Sequence, residues 1–346
     1  MRVAIATVQV PYLMGGAEAL ADGLRVAIAS LGHPVEIVTL PFRFFPPGQV
    51  RRAMQVWEEE DFSQLNLYEP DRVVCLKFPA YGLKHPAKSL WLCHQHRSAY
   101  ELFSDRDASP EDKALRDEVR RFDARHLREA SPQLTISRRV SERLKQFCGI
   151  DSSPLYHPPP MAERHYSAAA QPYVLFPSRI EHAKRQDLLV RAMKEVRGGG
   201  FAVFAGEGGQ IEALRRLAQS LGVSDRVRIL GRVTAEELLS LYAHAAAVCF
   251  VPKDEDYGYV TLEAMLSSKP VITCDDSGGP LEFVVDGETG RVVVPEPTEI
   301  ARAIDQVFAQ PSLATRLGRA GLARYRDLVP GWHQVAEAVL ASPSRG

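Results

Sequence analysis

Short apolar runs alternate with longer amphipathic segments along almost the whole chain, and this alternation limits the possible folds more than any other feature. Residues 2–8 are predicted to form a strand, residues 17–31 a helix with one apolar face, and residues 34–40 a second strand. A strand, a helix and a strand in this order form a parallel pair with a right-handed crossover. The alternation resumes after residue 172. We therefore expect an α/β protein built on parallel sheets.

One segment interrupts this pattern near the middle of the chain. Residues 151–172 contain Pro158-Pro159-Pro160 and lack apolar periodicity, which is typical of a connector. A chain of 346 residues also exceeds one ordinary hydrophobic core. We predict two doubly wound, Rossmann-like domains that face each other across a cleft, over residues 1–160 and 161–330. A last helix within residues 331–346 carries an apolar stripe and is predicted to pack back on the first domain.

The composition excludes several classes of function. Lys+Arg of 42 against Asp+Glu of 43 leaves no excess charge to attract nucleic acid. The five cysteines are an odd number without close pairing, so we expect free thiols in a reducing compartment. No signal-like segment precedes the first strand, and no apolar run approaches the ~18 residues that a spanning helix needs. We expect a cytoplasmic protein with at most a peripheral contact at the inner face of the membrane.

Two carboxylates occupy the centre of residues 251–290, which read as strand, turn, helix, strand, turn and helix. Glu255 lies in the turn after an apolar strand, and Glu263 lies about one turn inside the next helix. Both can face one ligand at the carboxyl end of a parallel sheet. Between them the helix begins, and its unpaired amides favour an anion. These amides belong to Gly258, Tyr259, Val260 and Thr261. An anion flanked by two carboxylates indicates a phosphate-bearing ligand rich in hydroxyls, such as a nucleotide sugar.

A basic pair follows the apolar strand of residues 173–177. Arg179 offers a fixed fork of donors to a phosphate, and Lys184 offers a point charge. Together with a helix start, these two cations would neutralise a diphosphate without Mg²⁺, so we expect neither metal nor cofactor. The nearest carboxylate pair, Asp275-Asp276, lies in a Ser/Gly turn and is interpreted as a turn former.

The first domain contains two further candidate features, a pair of histidines and a pair of glycines. His94 and His96 follow the strand of residues 89–93, at the edge where open α/β sheets bind ligands. A metal site is a possible interpretation of the two histidines, but the local sequence offers no third metal ligand at a recognisable spacing. The other alternative is that the two histidines have a purely structural role. Gly15-Gly16 would let a ligand approach the backbone closely, unless it serves only a tight turn.

Two arginine-rich helices are predicted over residues 110–130 and 137–147. Acidic residues are interspersed in the first of them, which favours a solvated face with ion pairs. The alternative is a cationic surface for anionic lipid head groups or for a phosphate-bearing acceptor.

Several motifs occur together in a recognisable order. Glu255 and Glu263 fit the spacing E-x7-E, and Arg179 and Lys184 lie upstream of them. The remaining motifs are Gly278-Gly279-Pro280-Leu281-Glu282 and Asp286-Gly287-Glu288-Thr289-Gly290. This set resembles the retaining glycosyltransferases of GT-B fold known as family 4, or glycosyl transferases group 1. The resemblance extends over nearly the whole chain, from Gly15-Gly16 to the helix at Trp332.

The resemblance implies a hexosyltransferase that moves a sugar from a UDP- or GDP-sugar to a glycan or lipid-linked acceptor, with retention and without a metal. It implies that Glu263 binds ribose hydroxyls and that Glu255 binds hydroxyls of the donor sugar. Arg179 and Lys184 would hold the diphosphate and stabilise the leaving group. The amides of residues 258–261 would bind its distal phosphate. Gly15 and Gly16 would approach the donor from the other domain, and His94 would touch the donor sugar, with His96 as the rival.

The chain also departs from the family. Where the family has Glu-Gly-Phe-Gly, this chain has Glu255-Asp256-Tyr257-Gly258, so Asp256 and Tyr257 are expected to influence the choice of sugar. Together with Gln95-His96-Arg97, this stretch resembles a bacterial subgroup associated with surface polysaccharides. Recognition of the base is expected at the backbone near Gly231-Arg232-Val233 and at the turn from Gly206 to Gly208, and recognition of the acceptor near residues 42–45. The rival functions are a GT-B epimerase or phosphorylase and a non-catalytic sugar-nucleotide binding module.

Overall fold

The computed structural model describes residues 1–12, 15–63 and 68–341. The chain divides into two compact units, one formed by Met1–Pro160 together with the segment that begins at Pro330, and one formed by Met161–Val329. Each unit contains one six-stranded sheet with parallel neighbours. The predicted α/β class is confirmed.

The sheet of the first unit has the strand order β2-β1-β3-β4-β5-β6. Its strands are β1 (Val3–Gln9), β2 (Val35–Pro41), β3 (Arg72–Cys75), β4 (Lys88–Leu92), β5 (Gln133–Thr135) and β6 (Ser153–Pro154). Strands β3 and β4 are buried at every position. Burial on both faces is typical of a parallel sheet that helices cover on both sides.

Among the described residues of the first unit, four α-helices precede the connector. They are α1 (Gly16–Ser30), α2 (Pro47–Glu59), α3 (Pro110–His126) and α4 (Arg138–Cys148). Local capping defines two of these starts. Ser109 and Asp112 form a capping box before α3, and Ser137 accepts from the amide of Val140 at the start of α4.

The arginines of α3 and α4 form ion pairs with nearby carboxylates. Arg116 pairs with Asp105 and Asp117, and Arg125 pairs with Glu58. Further pairs are Arg139–Glu142 and Lys145–Asp151. These contacts support the interpretation of a solvated, ion-paired face over that of a surface built to attract anions.

The sheet of the second unit has the strand order β12-β11-β10-β7-β8-β9. Its strands are β7 (Tyr173–Pro177), β8 (Phe201–Ala205), β9 (Val227–Gly231), β10 (Ala247–Cys249), β11 (Val271–Cys274) and β12 (Gly290–Val293). Its helices are α5 (Gln186–Glu195), α6 (Ile211–Ser220), α7 (Ala235–His244), α8 (Tyr259–Leu266), α9 (Pro297–Ala309) and α10 (Pro311–Leu328).

Each sheet has one place where the order of its strands reverses. In the first unit β1 lies between β2 and β3, and in the second unit β7 lies between β8 and β10. Ligands of open α/β sheets bind outside the carboxyl ends of the strands at such switch points. We refer to these places as the β1/β3 and β7/β10 switch points, and functional side chains are expected there.

The chain continues into α11 (Trp332–Leu340), which belongs to the first unit. The Trp332 ring stands edge-on to Trp91 of β4, with ring centroids 6.3 Å apart. Fully buried positions of the predicted apolar stripe are Val335, Ala336 and Val339. The stripe is therefore buried within the first unit. Residues 342–346 of the predicted last segment lie outside the described residues.

Two expectations from composition can be compared with the structure. All five cysteines are free thiols, and four of them are buried, which confirms the prediction of free thiols. None of the described helices combines the length and the apolar character that a membrane-spanning segment needs.

Candidate functional site

Two basic residues and a carboxylate lie at the β7/β10 switch point. Arg179 and Lys184 belong to the loop between β7 and α5, and Glu255 belongs to the loop after β10. The ammonium of Lys184 donates to Oε2 of Glu255, so the structure brings these two predicted residues together. Their side chains are 18% and 24% exposed, which leaves both within reach of a ligand. The Lys184 ammonium also lies 5.6 Å from the centroid of the Phe250 ring, a favourable cation–π contact.

Arg185, the neighbour of Lys184, joins three loops at this edge of the sheet. Its guanidinium donates to the carbonyls of Val251 and Pro252, each at 2.8 Å. It also forks onto the two carboxylate oxygens of Asp276 at 2.7 and 2.6 Å. Asp276, interpreted from the sequence as a turn former, is therefore the partner of this arginine. Sequence reasoning missed Arg185 because its partner Asp276 lies 91 residues away along the chain.

Gln186 holds the loop that carries Arg179. The Gln186 side chain is buried, and its amide nitrogen donates to Oγ of Ser178 at 3.0 Å and to the carbonyl of Arg179 at 2.8 Å. Arg179 itself is exposed. A buried amide thus fixes the backbone while the guanidinium stays accessible to a ligand.

Gly206 packs against the same loop. Its backbone has a φ of +151°, and a Cβ at this position would collide with the carbonyl of Ser178. The contact continues where the amide of Ile180 donates to the carbonyl of Glu207 at 2.8 Å. The close packing of the two loops explains why position 206 is a glycine. The predicted contact of Gly206 with a ligand stays a prediction.

The backbone of Glu255 is fixed from both sides by the loop after β11. Its amide donates to the carbonyl of Ser277 at 2.9 Å, and its carbonyl accepts from the amide of Gly279 at 2.8 Å. Gly278 has a φ of +74°, and a Cβ there would lie 2.6 Å from the carbonyl oxygen of Glu255. The glycine pair of the motif therefore allows one loop to lie flat against the other and hold the carboxylate in place.

The start of α8 follows Glu255 in the chain, but one of its four predicted amides is already occupied. Gly258 caps the helix, and the amide of Thr261 donates to the carbonyl of Gly258 at 2.9 Å. The prediction of four unpaired amides was wrong for Thr261, because the first turn closes with a short i to i+3 bond. An anion at this helix start would rely on the amides from Gly258 to Val260.

Glu263 lies on α8, where the hydroxyl of Tyr242 donates to its Oε2. Burial raises the pKa of Glu263 to about 7, and the hydrogen bond from Tyr242 acts in the opposite direction. Part of the Glu263 side chain still reaches the surface. The ionised carboxylate accepts hydroxyl donors best, so the ability of Glu263 to bind hydroxyls depends on pH near neutrality.

Tyr257 and Asp256, the two departures from the family motif, differ in exposure. Tyr257 is 5% exposed, and its ring stands edge-on to Tyr259 and Phe283 with centroids 5.6 Å apart in both cases. The ring of Tyr257 therefore serves packing. Asp256 is half-buried, so of these two side chains it is the more accessible to a ligand.

The two histidines after β4 occupy different environments. His96 is buried among Phe42, Phe44 and Phe78, with ring centroids 4.9 to 6.4 Å away, and burial lowers its pKa to about 4. His94 is half-buried, and its Nδ1–H donates to the carbonyl of Gln95 at 2.7 Å. The arrangement favours His94 over His96 as a ligand contact.

The two glycines of the first loop lie at the start of α1. Gly15 precedes the helix, and its amide donates to the side-chain carboxylate of Glu18 at 2.8 Å. Gly16 is the first residue of α1. A ligand anion at this point would compete with the carboxylate of Glu18, so the predicted contact through these glycines stays a prediction.

The described residues were compared with two other kinds of site, a metal centre and a groove away from the switch point. Among residues 1–12, 15–63 and 68–341, no group of three His, Cys, Asp or Glu side chains is placed to hold a metal ion. A groove of about 1060 Å³ lies in the second unit before the first residues of β7, β8, β10 and β11. This is the edge opposite to the switch point, and no predicted site residue lines the groove.

A known family model matches part of this chain. Residues 162–324 match the family model of glycosyl transferases group 1. The matched segment lies within the second unit, Met161–Val329, and includes Arg179, Lys184 and both glutamates of the motif.

Curated relatives align with about half of this chain or less. The GDP-mannose-dependent alpha-(1-6)-phosphatidylinositol monomannoside mannosyltransferase of Mycolicibacterium smegmatis is 35% identical over 173 residues, which make up 46% of this chain and 44% of that protein. The alpha-1,3/1,6-mannosyltransferase ALG2 of Homo sapiens is 33% identical over 116 residues, or 34% of this chain and 28% of that protein. The chain thus spans less than half the length of these two relatives.

A solved structure resembles nearly the full length of the chain. Anabaena Alr3699/HepE in complex with UDP-glucose superposes with a TM-score of 0.73 at 18% identity, covering 98% of each chain. At this identity the likeness concerns the fold, and it confirms the predicted GT-B architecture.

Proposed function

We propose that this chain is a member of the glycosyl transferases group 1 family, whose model matches residues 162–324, and that it moves a sugar from a nucleotide diphosphate sugar to an acceptor hydroxyl. The contact between Lys184 and Glu255 at the β7/β10 switch point carries the proposal. It places a cation suited to a diphosphate beside a carboxylate suited to sugar hydroxyls. A donor molecule presents these two kinds of group next to each other.

Donor binding would exchange the partners of this ion pair. The diphosphate would take the ammonium of Lys184 and the guanidinium of Arg179, and the sugar hydroxyls would take Glu255. The ribose hydroxyls would donate to Glu263, beyond the helix start. The loops that carry these residues are held by Arg185 and Gln186, so little ordering is needed when the donor binds.

In the proposed reaction the bond between the anomeric carbon and the diphosphate oxygen breaks, and its electron pair stays with that oxygen. The acceptor oxygen forms a bond to the same carbon on the same face, and its proton passes to the departing phosphate. Retention follows from this geometry. Arg179, Lys184 and the start of α8 would stabilise the charge of the leaving group, often the largest contribution to catalysis. In this proposal the two cations and the helix start stabilise the diphosphate without a metal ion.

The donor and the biological setting are inferred from the relatives. The names of the two relatives described above are those of mannosyltransferases, one of which is GDP-mannose-dependent, and the solved structure contains UDP-glucose. We propose a UDP- or GDP-hexose as the donor and a role in bacterial surface polysaccharide or glycoconjugate synthesis. His94 would contact the donor sugar from the first unit. The predicted cleft between the domains and a peripheral membrane contact stay predictions.

The experiment that tests this function compares Lys184→Ala with Lys194→Ala, a change of an exposed lysine on α5. Release of nucleoside diphosphate from UDP-glucose and GDP-mannose is measured, with and without crude lipid-linked or glycan acceptors. Loss of the lysine cation that would stabilise the leaving group predicts a fall of about 100-fold or more in Lys184→Ala and none in Lys194→Ala. Equal rates in both variants would contradict the proposal.

The same assay separates the rival functions. A retained anomeric configuration in the product, read by NMR, supports the retaining mechanism, and inversion overturns it. Interconversion of the donor sugar without transfer would indicate an epimerase. Saturable donor binding without any release of nucleoside diphosphate would indicate a binding module.

A further inference from the structure

A groove of about 1060 Å³ lies in the second unit, at the edge of the sheet opposite to the β7/β10 switch point. Its walls come from the chain before β7, the chain before β11, and the segment where α9 ends and α10 begins. Every residue that lines it belongs to Met161–Val329. Sites for small organic ligands enclose about 300–1000 Å³. The groove is therefore large enough for such a molecule, and it is separate from the proposed donor site.

Positive charge predominates in this groove. Its charged lining residues are Arg197, Lys269, Asp305 and Arg319. The carboxylate of Asp305 accepts from the amide of Arg197 at 3.0 Å and from that of Gly198 at 2.9 Å. Within the part of the chain that the structure describes, no carboxylate forms an ion pair with any of the three cations. Three cations and one carboxylate leave two positive charges in excess, which favours an anion.

Lys269 is the most buried of these cations. It is 5% exposed, and its ammonium, which has three donors, gives one hydrogen bond to the carbonyl of Ala168 at 3.0 Å. Lys88 is as buried, but its ammonium donates to two carbonyls and to the carboxylate of Glu129. Burial lowers the pKa of Lys269, and no neighbouring carboxylate acts in the opposite direction. A charge that is buried without a counter-charge costs free energy, which a bound anion would offset.

The backbone around Lys269 is fixed by three elements. The amide of Lys269 donates to the carbonyl of Ala264 at 2.9 Å, and the carbonyl of Pro270 accepts from the amide of Val248 at 3.0 Å. Gly318 of α10 lies so close to the carbonyl of Ser268 that a Cβ would collide with it. The residue after Gly318 is Arg319, so two elements that are packed together supply two cations to one wall. Cations on such a fixed backbone are preorganised for an anion.

The rest of the groove is largely apolar. Its lining includes Pro172, Ala246, Pro270 and Pro311, and the half-buried ring of Phe308 is the largest apolar side chain among them. Prolines, alanines and one ring offer contact area to a hydrocarbon group but few hydrogen bonds. A ligand with one anionic end and one apolar end would match both parts of the surface.

We propose that this groove binds a small organic phosphate monoester, with its phosphate at Lys269 and Arg319 and its apolar part against Phe308. A phosphate monoester carries about −1.5 to −2 charges at pH 7, which balances the excess of two positive charges. Lysine offers it a point charge and arginine a fork of donors. This site would be a second ligand site of the second unit, and it does not depend on the proposed glycosyl transfer.

The ligand is inferred to be free in solution and not part of a membrane. Helices and loops that bind a bilayer insert large apolar side chains into it. The exposed large hydrophobic residues of the described chain include Phe45, Leu102 and Leu230, and none of these exposed residues lines the groove. The phosphate would therefore reach Lys269 on a soluble molecule.

The test uses hexyl phosphate as the probe and measures its affinity by calorimetry, beside hexanol and inorganic phosphate. The proteins are wild type, Arg319→Ala, Lys269→Met, Arg326→Ala and Lys184→Ala. Arg326 is an exposed arginine of α10 that does not line the groove, and it provides the matched control. We expect hexyl phosphate to bind wild type at least tenfold more tightly than either hexanol or inorganic phosphate. Arg319→Ala and Lys269→Met should each weaken it about tenfold, because a charge-assisted contact is lost.

Arg326→Ala and Lys184→Ala should bind hexyl phosphate as wild type does. Affinity that is lost in Lys184→Ala and kept in Arg319→Ala would place the phosphate at the donor site and overturn the inference. Hexyl phosphate that binds wild type no more tightly than hexanol or inorganic phosphate would overturn it as well, and so would full affinity in Arg319→Ala or in a folded Lys269→Met. Should Lys269→Met unfold, Arg319→Ala decides alone, since its exposed side chain has no ion pair with any described residue.

Discussion

The carboxyl of Glu263 shows how one residue can make donor binding depend on pH. Its pKa of about 7 is raised by burial above the value of an exposed glutamate. Ribose hydroxyls would donate to the ionised form, so binding must remove a proton whenever the pH lies below this pKa. Affinity for the nucleotide should therefore rise with pH until the carboxyl is fully ionised.

We predict that Glu263→Gln removes this dependence. Between pH 6 and pH 8, the ionised fraction of a group with a pKa of about 7 grows roughly tenfold, so the UDP or GDP affinity of wild type should improve about tenfold relative to that of the variant. The ratio of the wild-type affinity to the variant affinity does not depend on titration of the nucleotide phosphates, because the same nucleotide binds to both proteins. Calorimetry at both pH values measures it, with Glu299→Gln on the distant helix α9 as control. A ratio that stays constant would show that the nucleotide does not depend on the charge of Glu263.

The two histidines after β4 show where residue-level prediction ends. The sequence places His94 and His96 at the same edge of the sheet, and the spacing alone does not distinguish them. The distinction comes from the aromatic cluster around His96, whose Phe42 and Phe78 lie 54 and 18 positions away in the chain. Such contacts are tertiary, and no local pattern reports them.

Among the elements, the loops after β7, β10 and β11 act as one assembly because Arg185 connects them. Its four hydrogen bonds reach the carbonyls of the β10 loop and the carboxylate of Asp276. The backbone of Arg185 has a φ of +56°, in the left-handed region that costs energy for any residue except glycine. The contacts of the side chain must offset this strain.

We predict that Arg185→Ala lowers the free energy of unfolding by about 2 kcal/mol, because charge-assisted hydrogen bonds are lost and Asp276 is left without its partner. Arg185→Gly should recover roughly 1 kcal/mol of this loss, since glycine adopts the same φ without strain. Arg215→Ala, which breaks an ion pair with Glu212 that is 56% and 66% exposed, should cost less than about 1 kcal/mol. Urea denaturation of the three variants provides the measurement. A loss in Arg185→Ala no larger than that in Arg215→Ala would contradict the role of Arg185.

Most strands and helices were predictable from the sequence, whereas the hydrogen bonds that connect the loops between them were not. Periodicity located the strands before and after the connector because buried parallel strands are continuous apolar runs, as in β7 and β8. The motif predicts that Glu255 and Glu263 face one ligand, and the structure has Glu255 in the loop after β10 and Glu263 on α8. The sequence did not reveal that the amide of Thr261 closes its own turn, or that Asp276 serves Arg185. The first depends on the exact backbone geometry of a helix start, and the second depends on a contact between residues far apart in the chain, so no local pattern indicates either of them.

In the whole molecule, the residues assigned to the donor diphosphate and ribose all belong to the second unit. Arg179, Lys184, Glu255 and Glu263 lie within Met161–Val329, as does the matched family segment. Nucleotide binding should therefore stabilise this unit through its own residues. A ligand that binds only the folded state raises the free energy of unfolding by mass action.

We predict that one of UDP, GDP or ADP raises the melting temperature clearly more than the others. At a concentration of 100 times its Kd, a nucleotide adds about 2.7 kcal/mol, which for a unit of this size corresponds to roughly 5–11 °C. The nucleotide with the largest shift identifies the base of the donor. In Lys184→Ala the shift should become smaller, because one of the two cations assigned to the diphosphate is lost, while Lys194→Ala should keep the full shift. Equal small shifts for all three nucleotides in wild type would show that the β7/β10 switch point does not bind a nucleoside diphosphate.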